Sequence, residues 1–324
     1  MRPFAAFAMA MFAMCFFSPS RAQDAASWPS QPVRMIVPFP AGGPADIVTR
    51  VVSERLSQAW GQGVVVENKP GANTAIAAAQ VAKATPNGYT LLVVMDVTMV
   101  LNPLTSKTMS YDPIRDFDPI SLLSKNTSLL TVHADGPKTL AELIALGRAN
   151  PGKLNFGAGI ITTRLAAELF NKETGIVAQF VPFQGSPPTV QALMSKSVDY
   201  IVDGQASSLP LIQAGMFRAL AKLNDGPVPA LPQLRSLAVE AGRPALDDVS
   251  TWIGVVAPAG TPRAIIDKVR GEIARAYADP AMVDRLLKGG INPVATSPEE
   301  FARFIQSETV RWGKVVKESG IELN

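Results

Sequence analysis

The sequence is poor in the side chains that most enzymes use for catalysis. Its 324 residues include one cysteine, Cys15, and one histidine, His133. Zinc sites and Ser-His-Asp triads need more than this, and no G-x-S-x-G, S-x-x-K, H-E-x-x-H, C-x-x-C or P-loop motif occurs. Gly42-Gly43 also lacks the spacing of a dinucleotide fingerprint. We therefore expect no catalysis, no metal and no cofactor, and interpret His133 as a surface or loop residue.

Long uncharged apolar runs are also missing, except at the start. Residues 4–17 are apolar, follow Arg2 and precede small residues that end at Ala22, which predicts a secretory signal peptide at residues 1–22. The run is too short for a comfortable membrane span. A lipid anchor on Cys15 is the alternative, although FAMC is a poor lipobox. The mature protein is therefore predicted to be exported.

Removal of this segment leaves a chain without cysteine, so disulfides are excluded and stability must come from core packing. Arg2 and Arg21 leave with it and no acid does, so 28 basic and 27 acidic residues give a formal charge of +1. No basic cluster interleaved with aromatic residues remains, and we expect no nucleic-acid partner.

Apolar runs alternate with amphipathic segments at Pro and Gly joints, which predicts two strand-helix units. The first has strands at 33–38, 64–68 and 89–95 and helices at 44–60 and 74–83; the second has strands at 154–157, 179–182 and 200–203 and helices at 162–174 and 187–196. Extended segments at 117–132 and 249–257 connect the units, and helices at 262–278, 281–289 and 298–319 follow.

This pattern predicts an α/β fold of two doubly wound domains with a central cleft. Domain 1 comprises residues 23–125 and 250–324, and domain 2 comprises residues 126–249. Two crossings between domains permit hinge closure over a ligand.

The stretch VRMIVPFPAGGPAD at residues 33–46 predicts a strand, a tight loop and a helix N-terminus. Unpaired N–H groups and the helix dipole at such a position favour an anion, most naturally a carboxylate. The alternative is an ordinary turn between a strand and a helix.

Seven motifs carry a resemblance to a known family. They are WPSQPVRMIVPFPAGGPAD, VVVENKPGA, ATPNGYTLL, YDPIRDFDPIS, VPFQGSPPTVQALMSKSVDY, GMFRALA and WIGVVAPAGTP. From about Trp28 to its end the chain resembles the Bug family of periplasmic substrate-binding receptors of tripartite tricarboxylate transporters. The resemblance implies a Venus-flytrap fold of the type II periplasmic-binding-protein kind, and a small carboxylate held largely by backbone amides and bridging waters.

The same resemblance implies membrane transporter subunits as partners of a monomeric receptor. A sensor that signals to a membrane kinase is the alternative, and a hydrolase or lyase is a third possibility.

Matching motifs carry the family's cleft positions onto this chain. In domain 1 these are Phe39, Pro40, Ala41, Gly42, Gly43, Ala45 and Asp46, with Gly71 to Thr74 as the neighbouring loop, where Asn73 and Thr74 replace glycines. In domain 2 they are Gly159, Thr162, Thr163, Arg164, Phe183, Gly185, Ser186 and Asp203. Asp46 either caps the helix or orients a water.

The largest departure from the family is at residues 160–164. Arg164 replaces the usual histidine and either pairs with a distal carboxylate or lies on a solvated helix face. Ile160 and Ile161 replace Gly and Ser, which makes the pocket more apolar. We therefore predict a dicarboxylate or an aromatic or longer aliphatic carboxylate, with citrate less well accommodated.

Overall fold

The computed structural model describes residues 27–246 and 249–319, so the predicted signal peptide lies outside the described residues. The strands are β1 (Val33–Val37), β2 (Val64–Asn68), β3 (Thr90–Met95), β4 (Phe117–His133), β5 (Leu154–Ala158), β6 (Ala178–Pro182), β7 (Tyr200–Gly204), β8 (Phe217–Lys222) and β9 (Ser250–Pro258). The α-helices are α1 (Pro44–Trp60), α2 (Ala75–Ala82), α3 (Asn102–Thr105), α4 (Leu140–Ala149), α5 (Ile161–Thr174), α6 (Ser186–Met194), α7 (Gln205–Gln213), α8 (Leu237–Ala241), α9 (Arg263–Tyr277), α10 (Pro280–Lys288) and α11 (Pro298–Ser319). Short 3₁₀ turns lie at Ala72–Thr74 and Pro244–Leu246, and a π-helical turn lies at Val97–Leu101.

The strands form one curled sheet in the order β2-β1-β3-β9-β4-β7-β5-β6, with β8 also paired to β4. The long strand β4 belongs to both halves: its residues up to Thr127 pair with β9, and those from Ser128 pair with β7 and β8. We call the half built on β1, β2, β3 and β9 the first lobe, and the half built on β5, β6, β7 and β8 the second lobe. The predicted α/β architecture with two lobes is confirmed.

The change of partner on β4 falls two residues beyond the predicted domain limit at residue 125. The return crossing is β9, which begins at Ser250, the predicted start of the C-terminal part of domain 1. That these lobes move as separate domains with the predicted limits stays a prediction.

The central strands are buried along almost their whole length. All nine residues of β9 are buried, and so are five of the six residues of β3. Helices cover both faces of such a sheet, so its strands read as near-continuous apolar runs. Trp252 of β9 packs edge-to-face against Phe301 and Phe304 of α11, which fixes this C-terminal helix on the first lobe.

No element was predicted from the sequence at α3, α4, α7, α8 or β8. Helix α7 contains Pro210 in its interior and has no apolar period, which hides it from a pattern search. In residues 27–246 and 249–319, no helix combines the length and apolar character that crossing a bilayer requires.

Gly271 lies inside the amphipathic helix α9, and a methyl group there would meet only the Arg275 guanidinium, at 3.8 Å. Because glycine in a helix interior costs roughly 0.5–1 kcal/mol relative to alanine, Gly271→Ala is expected to raise the free energy of unfolding by about that amount. Thermal unfolding followed by circular dichroism should show a slightly higher midpoint. A lower midpoint would mean that the glycine is required by packing.

Candidate functional site

A cavity of about 230 Å³ lies between the two lobes, where loops leave the carboxyl ends of β1, β2, β3, β5 and β6. Ligands of open α/β sheets bind in crevices at these strand ends. The cavity is lined by Pro38, Phe39, Pro40, Pro70, Gly71, Ala72, Asn73, Thr74, Val97, Gly159, Ile160, Phe183, Gln184 and Gly185.

Hydrogen bonds to the Asp46 carboxylate hold the loop between β1 and α1 in place. The carboxylate of Asp46 accepts hydrogen bonds from the Gly42 N–H and the Asn68 amide, both at 2.9 Å, and pairs with Arg50 at 2.9 Å. Burial alone would raise the pKa of Asp46, but the hydrogen bonds from Arg50, Gly42 and Asn68 outweigh it and bring the pKa below its usual value. Asp46 therefore stabilises the loop through these hydrogen bonds and does not line the cavity.

The next loop carries unusual backbone geometry on the cavity wall. Ala72, Asn73 and Thr74 have φ angles of 46°, 47° and 77°, in the left-handed region that non-glycine residues rarely adopt. The Asn102 side chain donates to the Asn73 carbonyl at 2.6 Å and to the Tyr111 hydroxyl at 3.1 Å. Such strain persists only where surrounding contacts over-determine it, and it is concentrated at functional sites.

Two glycines shape the wall formed by the second lobe. The Gly185 N–H donates to the Gly159 carbonyl at 2.9 Å, and a Cβ at Gly159 would overlap the Gly185 backbone. The Phe183 ring packs over Gly157, where an added Cβ would be 3.0 Å from Cε2. This wall therefore has exposed backbone next to an aromatic ring.

A second, smaller chamber of about 30 Å³ adjoins the first, and four residues line both: Phe39, Pro40, Ile160 and Gly185. Its other lining residues are Gly43, Pro44, Ala45, Met95, Thr163, Ser186, Pro187, Asp203, Gly204 and Thr251. Asp203 is only 2% exposed; its Oδ1 accepts from the Ser186 hydroxyl at 2.5 Å. Burial raises the pKa of Asp203 to about 7, and the Ser186 hydrogen bond and the adjacent Gly204 N–H limit the rise.

One hydrogen bond joins the lobes directly beside the cavity. The Thr162 hydroxyl, on α5 of the second lobe, donates to Oδ2 of Asp96, which follows β3 in the first lobe. The Val97 N–H donates to Oδ1 at 3.0 Å. Burial raises the pKa of Asp96 to about 7; the bonds from Thr162 and Val97 and the nearby Arg311 oppose the rise, and Glu308 adds to it.

The structure brings most of the predicted residues to the cleft. Lining the main cavity, the chamber or both are Phe39, Pro40, Gly43, Ala45, Asn73, Thr74, Gly159, Thr163, Phe183, Gly185, Ser186 and Asp203. Five predicted residues line neither space: Ala41, Gly42, Asp46, Thr162 and Arg164. Seven lining residues were not predicted: Pro38, Pro70, Met95, Val97, Gln184, Gly204 and Thr251. Most of them follow or end a strand, and that position is the signal that could have identified them.

Arg164 lies on the side of α5 that faces β6. Its Nε is 2.6 Å from Oε1 of Glu168, one helical turn later, and its guanidinium lies 4.5 Å from the centroid of the Phe180 ring. The hypothesis that Arg164 pairs with a distal ligand carboxylate therefore finds no support in its position. The helix-face alternative describes it better, although the side chain is partly buried.

Arg164→Gln is expected to change ligand affinity less than about 2-fold, because the side chain lies outside both spaces. Loss of the ion pair and the ring contact should lower the free energy of unfolding by roughly 0.5–1.5 kcal/mol. Isothermal titration calorimetry with wild type and variant checks the first expectation, and urea unfolding checks the second. A tenfold loss of affinity would indicate instead that Arg164 contacts the ligand.

Two α/β lobes that enclose a cavity at their strand ends define the class of two-lobed solute-binding proteins. A family model described as the tripartite tricarboxylate transporter family receptor matches residues 48–321. The chain belongs to this family of solute-binding receptors, which confirms the resemblance found in its motifs.

Individual relatives agree with this assignment. A protein encoded in the tcbD-tcbE intergenic region of Pseudomonas sp. strain P51 is 36% identical over 310 residues, covering 95% of this chain and 92% of the relative. The structure of Rpa4515 from R. palustris with adipate has a TM-score of 0.87 at 34% identity and covers 91% of this chain and 99% of that one. Periplasmic binding protein BugD gives a TM-score of 0.85 at 30% identity, with coverage of 91% and 99%. MatC from Rhodopseudomonas palustris with bound malate gives 0.82 at 30%, with coverage of 89% and 100%.

Proposed function

We propose that this protein is a periplasmic receptor that captures a small organic carboxylate between its lobes and delivers it to membrane transporter subunits. Membership of the receptor family supports the role, and the adipate and malate bound by two structural relatives support the class of ligand. The observation that carries the proposal is the convergence of helix starts on a cavity that has no cationic side chain among its lining residues.

Helices α1 and α6 begin at residues that line the chamber, and α5 begins directly after Ile160, which lines both spaces. The strained turn at Ala72–Thr74 precedes α2. Each helix start carries roughly half a positive charge, and the N–H groups of its first turn have no intrahelical partner. Pro44 of α1 and Pro187 and Pro188 of α6 have no N–H, so in these two helices only the other first-turn residues offer donors. Backbone donors can therefore hold a carboxylate without the desolvation of a buried guanidinium or ammonium group, which would cost several kcal/mol.

Contacts between the lobes support closure over the ligand as part of the mechanism. An added Cβ on Gly185 would lie 3.0 Å from Pro40 Cδ, and one on Gly204 would lie 3.0 Å from Pro44 Cγ. These glycines belong to the second lobe and the prolines to the first. We infer that domains with the predicted limits close until these surfaces meet, with the hinge where β4 and β9 cross between lobes.

Thermal-shift screening of the purified protein tests the proposal. The panel contains adipate, malate, succinate, benzoate and citrate, and the primary amide of each hit serves as the matched control. A ligand at 100 times its Kd stabilises by about 2.7 kcal/mol, so at least one acid should raise the midpoint by several degrees while its amide does not. Stabilisation by no acid, or by citrate alone, would contradict the proposal.

Export and transport need separate measurements. Osmotic shock should release the protein, and mass spectrometry of the released form should place its first residue near Gln23. Uptake of the bound acid should require the receptor together with its membrane subunits. Retention in the cytoplasm, or uptake that is unchanged when the receptor is deleted, would contradict these two parts of the proposal.

A further inference from the structure

One residue that lines the small chamber is an acid, Asp203, whose second carboxylate oxygen accepts no hydrogen bond from the described residues. Oδ1 of Asp203 accepts from Ser186, while Oδ2 is buried and has no hydrogen-bond partner in the part of the chain that the structure describes. Thr163 and Thr251 line the same chamber. Its lining residues include no Lys, Arg or His, so the environment offers Asp203 no counter-charge. A buried, unused acceptor is costly unless a donor from outside the protein satisfies it.

The chamber is placed to receive one end of a ligand. It shares the wall residues Phe39, Pro40, Ile160 and Gly185 with the main cavity, so the two spaces adjoin across these side chains. Its volume of about 30 Å³ is enough for one small polar group, such as a hydroxyl, an ammonium or a water. It is too small for a second carboxylate accompanied by a cation.

We propose that Asp203 makes this receptor select carboxylates that carry a hydrogen-bond donor, a hydroxyl or an ammonium group, at their distal end. The inference rests on the proposed function and narrows it. A donor satisfies Oδ2 with a charge-assisted hydrogen bond, whereas an ionised second carboxylate would lie beside Asp203 with no cation between them. An unsubstituted acid would leave Oδ2 unpaired, and sites built for a hydrogen bond discriminate strongly against ligands that lack it.

Among the ligand classes predicted from the sequence, the preference of Asp203 for a donor favours aliphatic or aromatic acids with a distal hydroxyl or amine over simple dicarboxylates.

Calorimetric titrations at pH 8 with a matched series of acids test the inference. The probes are the ω-hydroxy, ω-amino, ω-carboxy and unsubstituted straight-chain acids of four, five and six carbons, together with 4-hydroxybenzoate, terephthalate and benzoate. Burial raises the pKa of Asp203 to about 7, so pH 8 is chosen because it lies above this value and leaves the carboxyl predominantly ionised. The best donor-bearing acid should bind at least tenfold more tightly than the diacid and the unsubstituted acid of the same skeleton.

Asp203→Asn keeps the size of the side chain and an acceptor for the Ser186 hydroxyl but removes the charge. It should reduce the preference for a donor over a diacid to less than threefold. The matched control is Asp225→Asn at an exposed acid outside both spaces, which should leave the preference unchanged.

A diacid that binds the wild type as tightly as the donor-bearing acids would overturn the inference, and so would an unchanged preference in folded Asp203→Asn. If that variant does not fold, the wild-type series alone still shows whether donor-bearing acids bind more tightly than diacids. If none of these acids binds, the proposed function itself is contradicted. The failure of the inference and the failure of the proposed function therefore give different results.

Discussion

Replacing Gly204 by valine is expected to weaken ligand binding about 5- to 150-fold, the equivalent of the roughly 1–3 kcal/mol that overpacking costs. Gly204 ends β7 with ordinary extended angles, φ −62° and ψ 137°, so a branched side chain introduces no backbone strain there. An added Cβ would lie 3.0 Å from Cγ of Pro44, and the γ-carbons of valine reach farther. The clash falls on the contact between lobes and opposes closure, and the valine also takes up part of the chamber that Gly204 lines.

The measurement is calorimetric titration of wild type and Gly204→Val with the best acid from the thermal-shift panel, alongside unfolding of the unliganded proteins. The unliganded midpoints should agree within about 2 °C, because open lobes do not make the contact. Gly271→Ala is the matched control, since it adds carbon to a glycine far from the cleft and should leave the affinity unchanged. Equal affinity for wild type and Gly204→Val would show that ligand binding does not bring these lobes together.

Replacing Asp96 by asparagine is expected to stabilise the folded protein at basic pH and to have little effect on stability at acid pH. In the folded protein burial raises the pKa of Asp96 to about 7, whereas an unfolded aspartate titrates near 3.9. The folded state therefore binds the proton more tightly, and the free energy of unfolding falls as pH rises from about 4 through 7. Asp203 has a raised pKa and contributes in the same direction.

At pH 8 the wild type buries the Asp96 carboxylate in its ionised form, and the asparagine variant does not. We expect Asp96→Asn to be more stable than the wild type by roughly 1–3 kcal/mol at pH 8 and to lose most of that advantage at pH 5. Urea unfolding at the two pH values, with a saturating concentration of the bound acid to keep the lobes closed, measures this difference. Asp135→Asn is the control, because Asp135 is exposed and Lys196 holds the pKa of its carboxyl below the usual range. An Asp96→Asn variant that is equally destabilised at both pH values would contradict the account.

Local signals explain why some elements were predicted from the sequence with the correct limits. Helix α1 begins and ends as predicted because Pro44 occupies its first turn and Gly61 takes the left-handed position after Trp60. Strand β2 is bounded in the same way by Gly63 before it and Pro70 shortly after it. These signals are carried by residues adjacent in the chain, so a single sequence contains them.

Contacts between distant residues explain what was missed. Asp96 lies at the end of an apolar run, and its partner Thr162 is 66 residues away in the other lobe, so no periodicity connects them. The left-handed turn at Ala72–Thr74 has no glycine at those three positions that would predict it. It is stabilised by the hydrogen bond from the Asn102 side chain to the Asn73 carbonyl.

Arg164 is the position where the sequence left two alternatives open. Its partner Glu168 lies four residues later, a spacing that indicates a helix-face ion pair, whereas the family's histidine at this position suggested a ligand contact. At this position the local signal describes the structure better than the motif does. The binding roles assigned to the cleft residues themselves stay predictions until a ligand is identified.

Native mass spectrometry of the purified protein, alone and with each acid of the panel, tests whether a small carboxylate is bound between the lobes by backbone donors. The account predicts a one-to-one complex whose added mass equals that of one small organic acid, and a much smaller bound fraction for Gly204→Val under the same conditions. An added mass that corresponds to a cation or a neutral solute, with no acid bound from the panel, would contradict it.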